Sequence, residues 1–146
     1  MKYSPLKLSM RRKKEDGFTL VELLVVMVIL GLLVGIVGPR VINYLSSAKS
    51  DTARLQISQI GAALDLYMID MGRYPNESEG LDALVEEPSD ADHWNGPYLS
   101  SDEVPVDPWG NDYGYKFPGE NKPFDLYSLG ADGTEGGEDE NGDIYN

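Results

Sequence analysis

Two carboxylate groupings and one histidine are the residues of this 146-residue chain whose types and spacing bear on chemistry. Glu22 is the single charge inside twenty residues, FTLVELLVVMVILGLLVGIV, from Phe18 to Val37. A carboxylate in an apolar span costs a few kcal/mol on insertion scales, and such a residue usually has a partner or a function. Snorkelling from one turn inside the interface is the competing reading. The second grouping is Asp132, Glu135, Glu138, Asp139, Glu140 and Asp143, six acids in twelve residues without a Lys or Arg. A solvated tail accounts for such a run. So does a hard-cation site, because Ca²⁺ takes roughly 6–8 oxygens from carboxylates and backbone carbonyls. The run is not an EF-hand, for its sixth position is Gly137 with Gly136 before it and its twelfth is Asp143 rather than Glu. His93, the only histidine, sits in a polar loop with no obvious Ser partner and reads as a surface residue.

The absence of cysteine removes thiol nucleophiles, thiolate metal sites and disulfides. No glycine run precedes a Gly-Lys-Ser/Thr, so a phosphate-cradling loop is not indicated. Paired acids for glycoside hydrolysis stay open, since a body with so many carboxylates always offers a pair.

The element that must position Glu22 is a helix. At about 1.5 Å per residue, twenty residues span the hydrocarbon core of a bilayer. Lys2, Lys7, Arg11, Arg12, Lys13 and Lys14 precede it, and the positive-inside rule places residues 1–17 in the cytoplasm and the body outside. The run passes into Gly38-Pro39-Arg40 without an Ala-x-Ala site, which favours a retained anchor over a cleaved signal peptide. The formal charge of −13 conceals a split: residues 18–146 hold 6 basic and 23 acidic groups, a formal −17, which argues against a nucleic-acid partner.

Gly31, Gly35, Gly38 and Pro39 mark a soft joint, although a small-xxx-small packing face and a simple kink explain them too. Beyond it, Ala53, Ile57, Ile60, Leu64, Tyr67 and Met71 recur at alternating spacings of four and three, with Gln56, Gln59 and Asp65 on the polar side. Gly72 and Pro75 end the pattern, so the spacing predicts one helix over 18–72, roughly 80 Å long. Leu81, Leu84 and Val85 predict a short helix. Tyr113, Tyr115 and Phe117, then Phe124, Leu126 and Ser128, predict two antiparallel strands around a Gly/Pro loop. A sheet of about two to four strands must lie on the long helix to gain a core, which makes the class α+β.

Gly17-Phe18-Thr19-Leu20-Val21-Glu22, following a basic leader and opening an apolar helix, resembles the type IV prepilin signature. The resemblance implies cutting between Gly17 and Phe18 by a prepilin peptidase on the cytoplasmic side and N-methylation of Phe18. The new amine of one subunit could then pair with Glu22 of a neighbour, offsetting the burial of both charges and setting the axial register of a filament. It also implies a joint that extends as subunits leave the bilayer.

Tyr74-Pro75, Glu79-Gly80-Leu81, Asp107-Pro108-Trp109-Gly110 and Asp125-Leu126-Tyr127-Ser128-Leu129-Gly130-Ala131-Asp132-Gly133 are similar to the major pseudopilin of the bacterial type II secretion system. That resemblance implies a type IV pilin-like fold: an N-terminal helix packed on a small antiparallel sheet, with a C-terminal Ca²⁺-binding loop. The ligands it implies are the Leu129 carbonyl and Asp132, and Asp139 and Asp143 are the candidates for the remaining carboxylates. It divides the chain into a removed leader (1–17), a membrane and filament-core helix (18–39) and a periplasmic body (40–146). It implies a non-catalytic subunit of a helical filament in a Gram-negative bacterium, anchored in the inner membrane before assembly and periplasmic afterwards. Its partners would be further copies, minor pseudopilins and an inner-membrane assembly platform. A type IV pilus subunit and a membrane-anchored Ca²⁺-dependent hydrolase are the alternatives. The lack of cysteine argues against the former, which more often carries a C-terminal disulfide.

Overall fold

A computed structural model describes residues 17–146, and the basic leader up to residue 16 lies outside the described residues. Helix α1 runs from Leu20 to Met71 and carries Pro39 inside it. Proline lacks the donor for one helical hydrogen bond, yet the element continues through the expected joint. At its end the Gly72 amide donates to the Met68 carbonyl at 2.8 Å. Gly72 has a φ of 72°, the left-handed turn that closes a helix where a side chain would be strained.

Contacts divide the chain into a unit ending at Pro39 and a second, Arg40–Asn146. In the first, every large apolar side chain from Phe18 to Val37 is exposed. A stretch of helix that is apolar all round requires a cover the chain does not itself supply.

The second unit has a core. Ala53, Ile57, Ile60, Leu64 and Tyr67 are buried, together with Ala63, and Met71 packs against them half-buried. They cluster with Leu81, Ala83 and Leu84 and with Tyr113, Phe124, Leu126 and Ile144. Strands β1 (Gly114–Lys116), β2 (Asp125–Ser128) and β3 (Ile144–Tyr145) form an antiparallel sheet in the order β1-β2-β3. Tyr115 stands opposite Leu126, and Ser128 opposite Ile144. The first two strands fall where alternation predicts them. The two-residue β3 is too short to carry a period of its own, and its pairing with β2 recruits it.

The short helix expected from Leu81, Leu84 and Val85 is one 3-10 turn, Leu81–Leu84, with Val85 just past its end. The flank of α1 expected to be merely polar accepts hydrogen bonds from the body. Tyr113 donates to Gln56 Oε1 at 2.6 Å, Tyr74 to Asp65 Oδ1 at 2.9 Å and Tyr98 to Asp70 Oδ2 at 2.9 Å. Each tyrosine buries its ring while its hydroxyl reaches a polar helix flank. Burial, with the nearby Asp107 charge, pushes the Tyr113 hydroxyl well above the usual tyrosine range, so it remains a donor at physiological pH.

Candidate functional site

Two places in the chain carry the candidate residues. At the head of α1, residues 17–19 are outside the helix and Phe18 is exposed. Thr19 stands directly before the first helical residue. Its Oγ1 accepts from the Glu22 amide at 3.2 Å, while Glu22 Oε2 accepts from the Thr19 amide at 2.8 Å and the Thr19 hydroxyl at 2.9 Å. This is a reciprocal capping box, satisfying donors that a helix start otherwise leaves unpaired. Sequence reasoning singled out Glu22 for its charge and missed this second engagement. The signal was present as Thr-x-x-Glu ahead of an apolar run.

At the C-terminal loop, Asp132 is exposed and its Oδ1 accepts from the Thr134 amide at 3.1 Å. Asp139 is exposed with a φ of 55° and opens a 3-10 turn, Asp139–Asn141. It borders a groove of about 840 Å³ that Glu138, Glu140, Ser46, Ser50 and Arg54 also line. Asp143 accepts at Oδ2 from the Gly136 amide at 3.0 Å and the Tyr145 hydroxyl at 3.3 Å. Its Oδ1 is buried with no hydrogen-bond partner. Burial, then the charges of Asp143 and Glu135, push the Tyr145 hydroxyl up.

The loop is folded tightly on itself. The Ala131 amide donates to Glu140 O at 2.8 Å, and Asn111 Nδ2 donates to Gly130 O at 3.1 Å. Gly137 has a φ of 96°, and a Cβ there would stand 2.4 Å from the Asn141 carbonyl oxygen, so no other residue fits.

The unpartnered buried Asp143 oxygen is an acceptor that a hard cation would satisfy. Among the described residues, however, no group of three or more acids, His or Cys is placed to hold a metal. Asp132, Asp139 and Asp143 are therefore not assembled as a three-carboxylate set. What the loop offers a hard cation is the unengaged Asp143 Oδ1, the one acceptor there that is buried without a partner.

The loop is tied to the rest of the body by a residue read from sequence as part of a tight turn. Asp107 is buried, its Oδ1 accepting from the Trp109 amide at 3.0 Å and the Asn111 amide at 2.8 Å. Its Oδ2 accepts from the buried Ser128 hydroxyl at 2.6 Å, and Ser128 Oγ in turn accepts from the Gly130 amide at 3.2 Å. The Asp-Pro-Trp-Gly turn thus anchors the first residue after Leu129. His93 is exposed, as a surface residue should be.

A helix long and apolar enough in its first half to cross a membrane, whose second half serves as spine for a small antiparallel sheet, defines the pilin-like class. Residues 40–146 match the family described as type II secretion system (T2SS), protein G, and residues 12–38 match the prokaryotic N-terminal methylation motif. The chain is 49% identical to the type II secretion system core protein G of Pseudomonas aeruginosa, over 94% of this chain and 98% of that one. It is 42% identical to the protein of the same name from Vibrio cholerae, over 93% and 94%. The crystal structure of the major pseudopilin from the type 2 secretion system of enterohaemorrhagic Escherichia coli superposes with a TM-score of 0.61 at 31% identity, covering 72% of this chain and 91% of that one. The chain belongs to the type II secretion system protein G family, the major pseudopilins, and is a structural subunit of a pseudopilus.

Proposed function

We propose that this subunit matures by loss of residues 1–17, cleaved between Gly17 and Phe18 by a prepilin peptidase, and that the new Phe18 amine is then methylated. Residues 18–39 hold it in the inner membrane with its N-terminus cytoplasmic, and residues 40–146 face the periplasm. From there further copies, minor pseudopilins and an inner-membrane assembly platform build a helical filament that promotes export of folded proteins, without catalysis by this chain. The observation that carries the reading is the uncovered apolar face of α1 between Phe18 and Val37. Lipid covers it before assembly and neighbouring helices cover it afterwards.

The capping box supports a defined role for Glu22. Before cleavage its carboxylate has Thr19 to bond with. Cleavage creates a positive amine at Phe18, and the same carboxylate exchanges its neutral donors for the charged amine of an adjacent subunit. A charged donor gives the stronger bond, and in a water-poor filament core neither charge remains unpaired.

We further propose that Ca²⁺ binds the C-terminal loop through Asp143, with Asp132 and the Leu129 carbonyl as further ligands and Asp139 the alternative carboxylate. The ion supplies positive charge to a loop whose acids otherwise repel. The mass of membrane-extracted protein tests the maturation step. It should correspond to a chain beginning at Phe18 with one added methyl group, and an intact N-terminus in cells that contain the peptidase overturns the proposal.

A further inference from the structure

Two acceptors at the open end of the β2–β3 pair have no donor. Asp143 Oδ1 is buried without a hydrogen-bond partner. Among the described residues, no hydrogen bond engages the Leu129 carbonyl either. The register of the sheet brings the two together: Ser128 stands opposite Ile144, so one step further Leu129 lies across from Asp143. Gly130 packs into the same gap, where a Cβ would stand 2.7 Å from the Glu140 carbonyl oxygen and 3.0 Å from that of Gly142. Adjacent oxygens without a donor are what a hard cation takes as ligands.

The peptide to which the Leu129 carbonyl belongs is held from its other side. The Leu129–Gly130 bond is trans and planar, so the carbonyl points opposite to the Gly130 amide, and fixing one fixes the other. The Gly130 amide donates to Ser128 Oγ at 3.2 Å, and the Ser128 hydroxyl donates to Asp107 Oδ2 at 2.6 Å. A hydroxyl has a single proton. Because Asp107 takes it, the Ser128 lone pairs stay turned to the Gly130 amide. Asp107 is itself held by the Trp109 and Asn111 amides on its other oxygen. Asp107, Ser128 and Gly130 are all buried, so water does not compete for these bonds. A chain of hydrogen bonds thus runs from the Asp-Pro-Trp-Gly turn to one carbonyl of the C-terminal loop.

We propose that Ser128 and Asp107 are positioning residues for Ca²⁺ binding at this loop: through the Gly130 amide they orient the Leu129 carbonyl beside Asp143, without being ligands themselves. The inference rests on the Ca²⁺ reading, and the test separates the two. Hydrogen-bond partners that orient a ligand in this way are worth about 10–100-fold in metal affinity.

Calorimetric titration of Ca²⁺ into the detergent-solubilised full-length chain reads the affinity, and thermal unfolding in chelator reads stability without the ion. Ser128→Ala removes one oxygen and changes no charge, and should weaken Ca²⁺ binding by about 10–100-fold. Asp107→Asn offers the Ser128 hydroxyl a donor in place of its acceptor and should weaken binding in the same direction; it carries the test if Ser128→Ala does not fold. Tyr98→Phe loses the bonds to Asp70 and from the Asn95 amide, outside this chain of bonds. It should lower the melting temperature in chelator and leave the affinity unchanged. A natural chain that takes up no Ca²⁺ overturns the ion and the positioning role together. A natural chain that binds, with either Ser128→Ala or Asp107→Asn binding as tightly, overturns the positioning role alone. So does an equal loss of affinity in Tyr98→Phe, because the effect is then one of general loosening.

Discussion

Asp107 shows how a single carboxylate joins two turns that are distant in sequence. It accepts two backbone amides from its own turn and the Ser128 hydroxyl from the end of β2, all inside the protein. Asp107→Ala leaves three donors without an acceptor and should cost about 2–4 kcal/mol. Asp107→Asn keeps one oxygen and should cost less, and thermal unfolding of the detergent-solubilised chain measures both. A second residue-scale link is the pair of Arg73 and Glu79, bidentate at 2.6 and 2.7 Å and half-buried. The Arg73 guanidinium holds the Glu79 carboxyl below its ordinary value of 4.5. A depressed carboxyl pKa stabilises the fold above the ordinary value, and the contribution fades as pH falls through the lower folded-state value. The melting-temperature gap between the natural chain and Glu79→Gln should therefore be present at neutral pH and close below pH 4.5. A gap unchanged in acid would show that the pair acts through shape rather than charge.

At the scale of elements, α1 is asked to do two things at once. Its buried stripe gives a small sheet the partner without which three short strands would not hold a core. Leu64, fully buried in the middle of that stripe, should cost about 2–5 kcal/mol when cut to Ala. Leu66, two residues on and exposed, should cost no more than about 0.5 kcal/mol in the same unfolding measurement. The contrast follows from helical phase. The stripe facing the sheet was legible in the spacing of apolar residues, because a 3.6-residue period survives without tertiary information. So was the helix's extent to within two residues: 18–72 was expected and Leu20–Met71 is helical, Thr19 capping its start and Gly72 its end. Strands β1 and β2 were legible from their alternation. The two residues of β3 were not, since pairing across the chain and not local pattern defines them.

For the whole molecule the governing quantity is charge. A body carrying a formal −17 beyond the leader should resist self-association, and the acidic C-terminal loop concentrates the repulsion. If the proposed Ca²⁺ offsets it, a chelator should lower the melting temperature of the full chain. A ligand at about 100 times its dissociation constant contributes about 2.7 kcal/mol. Asp143→Asn should melt low with or without chelator, because it removes the charge beside the unpartnered buried oxygen. A natural chain indifferent to chelator would refute the metal proposal while leaving the filament assignment standing.

Sequence alone determined the apolar span, the helical spine, the strand pair and the family resemblance. Each depends on composition, on a short period or on residues adjacent in the chain. It also contained the Thr19–Glu22 capping box, a local pattern legible once read as a helix start rather than as an isolated charge. What tertiary structure decided is which acids meet which donors. Asp107 lies 21 residues from Ser128, Tyr113 lies 57 from Gln56, and no local rule couples such positions. The same holds for the C-terminal loop, where six acids look alike in sequence. Folding brings Asp143 to the end of β2, through its neighbour Ile144, and leaves one of its oxygens buried and unpartnered, while Asp132 and Asp139 stay exposed. Burial is a property of the assembled fold, and it is burial that makes otherwise equivalent carboxylates chemically different.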